Sequence, residues 1–136
     1  MIAILKYNAG NSTSVKNAVE RLGFSCSITN DQDTLKNASK VIFPGVGAAN
    51  SAMSFLKGTG LDQVIVALKQ PVLGICLGQQ LLCTYSDEGD TDCLGVFNTQ
   101  VKKFPPNDRV PHMGWNTVQT QSDSSLFAGV EGESFY

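Results

Sequence analysis

The feature that most constrains this chain is a cysteine between a short apolar run and a helical pattern, with a glycine two residues to either side. Residues 72–75, Val-Leu-Gly-Ile, are typical of a buried strand, and residues 77–82 read as the start of a helix. Cys76 therefore falls on the turn between them. Gly74 and Gly78 allow a sharp, strained turn and leave room for a substrate, which is the arrangement of a nucleophile elbow.

A cysteine in this position is a candidate nucleophile. The first amides of the following helix point at its sulfur, and the helix dipole favours negative charge there. The alternative is that Cys76 is a small buried hydrophobic residue, as free cysteines often are. The two glycines and the strand–turn–helix frame favour the reactive cysteine.

Strand and helix patterns alternate through the first half of the chain. Apolar runs at residues 1–7, 24–29 and 40–44 predict strands, and residues 14–22, 34–38 and 61–69 predict helices. Such alternation indicates an α/β fold with a mostly parallel sheet and helices on both faces. With 136 residues, we expect one domain over residues 1–136.

A second glycine-rich loop follows the third predicted strand. Gly45, Val46 and Gly47 form a loop in which two glycines expose backbone amides. Ligands of parallel sheets bind outside the carboxyl ends of the strands, where both this loop and the Cys76 turn are expected. We therefore predict that the two loops face each other across one pocket.

Charge and composition exclude several classes of partner. The net charge is −2 and no basic cluster exceeds Lys102-Lys103, so neither nucleic acid nor an anionic membrane is expected to bind. No apolar stretch is long enough to span a bilayer, and the first six residues lack the features of a signal peptide. We predict a cytoplasmic protein. Its four cysteines form no C-x-x-C pair and it has one histidine, so we expect free thiols and neither metal nor cofactor.

The second half of the chain carries weaker signals. The acidic run at residues 86–92 is expected to be solvated surface, and strand patterns occur at residues 101–104, 117–120 and 132–136. The only histidine, His112, is a candidate base for Cys76. No orienting carboxylate stands near it in sequence, so we favour the alternative that the base and its carboxylate belong to a segment beyond Tyr136.

Three segments together resemble a known family. Residues 74–80, Gly-Ile-Cys-Leu-Gly-Gln-Gln, resemble the nucleophile motif of class I, triad-type glutamine amidotransferases. Residues 44–47, Pro-Gly-Val-Gly, and residues 111–116, Pro-His-Met-Gly-Trp-Asn, narrow the resemblance to the glutaminase subunits of imidazole glycerol phosphate synthase. The resemblance implies a flavodoxin-like sheet, hydrolysis of glutamine through a thioester on Cys76, and delivery of ammonia to a cyclase subunit in a heterodimer of histidine biosynthesis.

The resemblance also implies roles for residues around Cys76. The amide of Leu77 supplies one oxyanion donor. The loop of Gly45, Val46 and Gly47 supplies the other, after reorienting when the partner's ligand binds. Gln80, one turn into the helix, helps to hold the substrate glutamine.

A third set of residues is implied to face the cyclase partner, near the start of the ammonia passage: Asn11, His112, Met113 and Trp115. For Trp115, a core aromatic is an equally balanced alternative. Asn8 departs from the family pattern Tyr-Gly-x-Gly-Asn, in which glycine stands at this position. We expect that difference to affect only the local turn geometry.

Members of the resembling family carry the triad histidine and glutamate in a later His-Pro-Glu motif, which this sequence does not contain. We therefore expect a chain that lacks the C-terminal segment and has little glutaminase activity by itself. Two rival functions stay open. One is another cysteine hydrolase with a nucleophile elbow, and the other is a non-catalytic doubly wound binding domain.

Overall fold

The computed structural model describes residues 1–107, 110–111, 113–119, 125–130 and 132–136. The chain forms two compact units, Met1–Lys103 and Phe104–Tyr136. The first holds the parallel sheet and both glycine-rich loops. The single domain expected over residues 1–136 stays a prediction.

The first unit is built on a four-stranded parallel sheet. Its strands are β1 (Ile2–Leu5), β2 (Cys26–Thr29), β3 (Lys40–Phe43) and β4 (Val72–Gly74), in the order β2-β1-β3-β4. The order reverses between β1 and β3, and in open α/β sheets a ligand binds at the carboxyl ends of the strands beside such a switch point. The predicted α/β fold with a mostly parallel sheet is confirmed.

Helices connect the strands and follow them. They are α1 (Ser12–Arg21), α2 (Gln32–Asn37), α3 (Ala49–Thr59), α4 (Leu61–Ala67) and α5 (Leu77–Leu81). The first two begin two residues earlier than predicted, because each has a side-chain cap that the apolar spacing does not reveal. The side chain of Asn11 accepts from the Ser14 N–H at 3.2 Å, and that of Asp31 accepts from the Thr34 N–H at 2.8 Å.

The core lies between one face of the sheet and the later helices. Ala3, Leu5, Val41 and Phe43 alternate along β1 and β3 and join one buried cluster with residues of α2, α3, α4 and α5. Each fully buried Leu or Phe side chain contributes about 1.5–3 kcal/mol relative to exposure. Ile4 points to the other face and is also fully buried. Helix α1, which contributes nothing to the cluster, packs against β1 and β2.

Short strands follow the elbow helix. A three-stranded sheet has the order β6-β5-β7, with β5 (Tyr85–Ser86), β6 (Thr91–Asp92) and β7 (Gln100–Val101). The predicted strand at residues 101–104 is thus confined to its first residue. Strands β5 and β6 form a hairpin whose tip, residues 87–90, is the middle of the acidic run.

The second unit contains a two-stranded antiparallel sheet of β8 (Asn116–Thr117) and β9 (Ser134–Phe135), and a 3₁₀ turn at Ser125–Phe127. The ring of Phe127 meets that of Phe135 edge-on, with centroids 6.3 Å apart. Among the residues that the structure describes, no helix is both long and apolar enough to cross a membrane.

Candidate active site

Cys76 occupies the turn between β4 and α5 in a strained backbone conformation. Its φ and ψ angles are 53° and −119°, and it is exposed. A non-glycine residue in such a region costs about 1–3 kcal/mol and is held there by its surroundings. Strain of this kind is concentrated at functional sites, which makes the turn the first candidate for chemistry.

Among the described residues, two N–H groups of the turn have no acceptor, that of Cys76 and that of Leu77. The Gly78 N–H donates to the Ile75 carbonyl, and the next two N–H groups donate to the Cys76 carbonyl, all at 3.0 Å. No acceptor for the Leu77 N–H is found within the described residues. An unused amide directly after a cysteine is the geometry of an oxyanion donor.

Three glycines set the packing of this turn. A Cβ on Gly78 would overlap the Phe43 carbonyl, and one on Gly74 would lie 2.7 Å from the Gln79 Cα. A Cβ on Gly45 would overlap Leu77 and Gly78 at the start of α5. The expectation that Gly74 and Gly78 leave room for a substrate is therefore wrong, because the protein's own backbone fills that space.

The 45–47 loop opens outward from this contact. Gly45 is buried against Leu77, whereas Val46 is 55% exposed and Gly47 is exposed with φ of +109°. No hydrogen bond of the Val46 or Gly47 N–H is found within the described residues. The loop and the Cys76 turn thus share a backbone contact at Gly45, and each has free amides.

Tyr7 is a residue of this site that the sequence did not single out. Its hydroxyl donates to the Pro44 carbonyl at 2.7 Å in a buried position, and its ring meets Phe43 edge-on at 5.4 Å. Burial first, and then the negative charge of a Cys76 thiolate, raise the pKa of Tyr7. The contact with Pro44 spans 37 positions of sequence, so no local pattern reveals it.

Glu88, at the tip of the β5–β6 hairpin, was also missed. Its Oε2 accepts from the Ala49 N–H at 3.4 Å, at the start of α3. The acidic run at residues 86–92 was expected to be solvated surface; residues 87–90 and Asp92 are exposed, but Ser86 and Thr91 are buried, so the expectation is wrong for those two residues. That interpretation overlooked the contact of Glu88 with the backbone two residues beyond Gly47.

The remaining predicted residues are dispersed. Gln80 is half-buried on α5, and Asn11 caps α1 with an exposed side chain. In the second unit, Met113 and Trp115 are 72% and 73% exposed, so Trp115 is not the core aromatic of the alternative interpretation. The ring of Trp115 meets that of Tyr136 edge-on, with centroids 5.8 Å apart. His112 lies outside the described residues.

The other three cysteines differ from Cys76. Cys83 is buried, while Cys26 and Cys93 are partly buried, and all four thiols are free. Burial raises the pKa of Cys83 and is also the largest cause of the raised pKa of Cys93. Within the described part of the chain, no group of three or more His, Cys, Asp or Glu side chains is placed to hold a metal ion.

A strained cysteine at the carboxyl end of a parallel sheet, beside free amides of a glycine loop, is suited to acyl transfer. The sequence model of one protein family, described as "Glutamine amidotransferase class-I", matches residues 3–135. The chain belongs to this family.

Three individual relatives are more specific than the family as a whole. Each of them is named imidazole glycerol phosphate synthase subunit HisH. The protein of Bacteroides thetaiotaomicron is 53% identical over 137 residues, which are 98% of this chain and 69% of the relative. That of Maridesulfovibrio salexigens is 44% identical over 147 residues, covering 100% of this chain and 69% of the relative. That of Nitratidesulfovibrio vulgaris strain DP4 is 46% identical, covering 100% and 70%. The resemblance drawn from the three sequence segments is thereby confirmed.

Proposed function

We propose that the chain is the glutaminase subunit of an imidazole glycerol phosphate synthase and hydrolyses glutamine at Cys76. The thiolate attacks the carboxamide carbon and forms a C–S bond, the C–N bond breaks, and ammonia leaves after gaining a proton. Water then hydrolyses the thioester to glutamate and restores the thiol. The observation that carries this proposal is the strained Cys76 turn packed against a glycine loop with free amides.

The charge that develops on the carboxamide oxygen needs two donors. Leu77 supplies the N–H next to the nucleophile, and the 45–47 loop supplies the second through Val46 or Gly47. In acyl transfer, the loss of one such donor costs about 3–4 kcal/mol of transition-state stabilisation. The two glycines allow the loop to turn an amide toward the oxygen, since glycine adopts both signs of φ.

Recognition of free glutamine requires groups for its charged α-carbon substituents. The carboxylate of Glu88 lies beside the start of α3, at Ala49, which is two residues after Gly47. Its negative charge suits the α-ammonium group of glutamine. Gln80 stands one turn after Cys76 and offers an amide to the substrate. Both assignments are consistent with a small polar amide as substrate rather than a peptide.

The ammonia is proposed to pass to a cyclase subunit in a heterodimer. Asn11, His112, Met113 and Trp115 are assigned to the partner-facing surface, and the exposure of Met113 and Trp115 supports this assignment. Exposed Trp and Met side chains are enriched where protein partners bind. The hydrolytic step belongs to this chain, whereas the lyase activity belongs to the assembled synthase. A cytoplasmic location remains a prediction.

The 136-residue chain by itself is proposed to have little activity. Removal of the thiol proton needs a base, and the only histidine of the sequence, His112, belongs to the segment assigned to the partner surface. Ammonia release from glutamine, measured with the cyclase partner and its nucleotide ligand, tests this point. Robust turnover that disappears in His112→Ala would overturn it and make His112 the base.

Reaction with a γ-chloroketone analogue of glutamine tests the proposed site directly. We expect Cys76 to be alkylated at least about tenfold faster than the other three thiols, because two of them have raised pKa values and none lies on the elbow. Glutamine should protect Cys76, and Cys76→Ser should abolish the fast reaction. Equal rates at all four cysteines, with no protection by glutamine, would favour the non-catalytic binding domain.

A further inference from the structure

The loop that follows β1 forms hydrogen bonds with residues on both sides of the 45–47 loop. At one end, the Tyr7 hydroxyl donates to the buried Pro44 carbonyl at 2.7 Å. At the other, the Asn8 side-chain amide donates to both the carbonyl and the hydroxyl oxygen of Ser51, each at 3.1 Å. Two consecutive residues of one loop therefore contact Pro44, just before the 45–47 loop, and Ser51, in the first turn of α3, seven residues further on.

Packing between the same two loops reinforces the first of these contacts. Gly10 has φ of +101°, and a Cβ there would lie 3.3 Å from the Pro44 ring, so the chain after Asn8 runs close against Pro44. Between the two ends, Gly45 packs against Leu77 and the Ala49 N–H donates to Glu88, which leaves Val46 and Gly47 as the exposed part of the segment. Val46 and Gly47 are exposed, and the nearest atom to a Cβ on Gly47 would be the Ala9 Cβ at 3.9 Å.

We propose that Tyr7 and Asn8 are positioning residues for glutamine hydrolysis: they fix Pro44 and Ser51, so that only the peptide groups between them reorient to form the oxyanion donor. The proposal rests on the function proposed above. Neither residue touches the reacting atoms in this assignment. Each acts by reducing the number of conformations that the loop samples, which lowers the entropic cost of presenting an amide to the developing charge.

The two contacts differ in expected strength. The Tyr7 bond is buried, so its loss leaves the Pro44 carbonyl unsatisfied and without water to replace the donor. The Asn8 bonds are exposed, and water competes for both Ser51 oxygens. Asn8 is also the residue that stands where the resembling family has glycine, so this second anchor is a feature of the present chain rather than of the family pattern.

Two alkylating reagents separate positioning from general damage. The γ-chloroketone analogue of glutamine passes through an oxyanion on its ketone carbon before sulfur displaces chloride, whereas iodoacetamide is attacked in one displacement that needs no oxyanion donor. The ratio of the two rates at Cys76 therefore measures oxyanion stabilisation and cancels any change in thiol exposure or ionisation. It is measured on the full chain, with melting temperatures recorded for every variant.

We expect Tyr7→Phe to lower this ratio about tenfold and Asn8→Gly about threefold, with iodoacetamide rates unchanged. Ser39→Ala is the matched control. It removes a hydroxyl-to-carbonyl bond of 2.9 Å, from Ser39 to Met1, at the amino ends of the same strands, and should leave the ratio unchanged.

Three outcomes contradict the proposal in different ways. A parent chain whose Cys76 shows no preference for the chloroketone overturns the proposed function, and this proposal with it. A preference that persists undiminished in both Tyr7→Phe and Asn8→Gly overturns the positioning role alone. Equal losses with both reagents, or an equal loss in Ser39→Ala, assign the two residues a purely structural role and likewise overturn it.

Discussion

The Cys76 turn and the 45–47 loop meet at one backbone contact, yet they are stabilised in opposite ways. At the turn, the Cβ positions of Gly74 and Gly78 are blocked by protein atoms, and the turn's carbonyls accept bonds from the amides that follow. In the loop, Gly45 is blocked in the same manner, but Gly47 has a positive φ and room for a Cβ, whose nearest neighbour would be the Ala9 Cβ at 3.9 Å. The turn is therefore fixed by packing, and the loop is fixed only where it begins and ends.

This difference separates two requirements of acyl transfer. The nucleophile must stay in place through both chemical steps, whereas a donor that forms only when needed has to move. Packing of backbone against backbone satisfies the first requirement, and a two-glycine segment anchored at its ends satisfies the second. If this division is correct, substitutions in the turn should affect the free energy of unfolding, and substitutions in the loop should affect the chemistry.

Gly78→Ala should have the largest effect, because its Cβ would overlap the Phe43 carbonyl and neither backbone segment can yield cheaply. We expect the free energy of unfolding to fall by about 3 kcal/mol or more, as measured by denaturant titration. The control is Gly58→Ala, on a helix with nothing within 4 Å of the new Cβ, which should be neutral or slightly stabilising. Similar stabilities for the two variants would remove the distinction drawn here.

Gly47→Ala should affect chemistry more than stability. The new Cβ has room, but a φ of +109° is unfavourable for alanine, so the loop will shift to another conformation. We expect the ratio of chloroketone to iodoacetamide rates at Cys76 to fall by about 10–100-fold. Gly95→Ala serves as control, because Gly95 also has positive φ and open surroundings. A loss of the same size in that variant would show that positive φ itself, rather than the loop, is responsible.

Glu88→Gln should produce the smallest of the three effects and leave both loops in place. Glutamine retains an oxygen that can accept from the Ala49 N–H, so only the negative charge is removed. We expect protection of Cys76 by glutamine to require about tenfold more ligand, with the iodoacetamide rate unchanged. The control is Asp87→Asn, which neutralises the neighbouring carboxylate instead. Asp87 accepts from the Lys103 N–H at 3.0 Å. Equal shifts in both variants would point to general electrostatics rather than recognition at Glu88.

The sequence was sufficient for the parts of this structure that depend on local order. Continuous apolar runs predicted β1, β3 and β4, and glycine spacing predicted the turn at Cys76, because strand burial and tight turns leave a local signature. The helix starts at Ser12 and Gln32 were misplaced, since a cap is formed by a side chain just outside the apolar pattern.

Contacts between distant segments could not be predicted in the same way. The bonds from Tyr7 to Pro44 and from Glu88 to Ala49 join residues 37 and 39 positions apart, and both depend on how loops pack after the sheet has formed. The role of Gly78 was misjudged for a related reason. Sequence indicates that a position lacks a side chain but does not indicate what occupies the space, which here is the end of β3 rather than a substrate.

The backbone packing at the Cys76 turn also bears on how this site tolerates mutation. The atoms that block Gly78 are carbonyl groups, which Phe43 and Pro44 would present whatever their side chains. Exchange of those neighbours for other residues compatible with the core therefore preserves the geometry of the nucleophile. At Gly45, Gly74 and Gly78, by contrast, any side chain would overlap or crowd neighbouring protein atoms. The geometry of the nucleophile is therefore more sensitive to a substitution at these three glycines than to one at the side chains of Phe43 and Pro44.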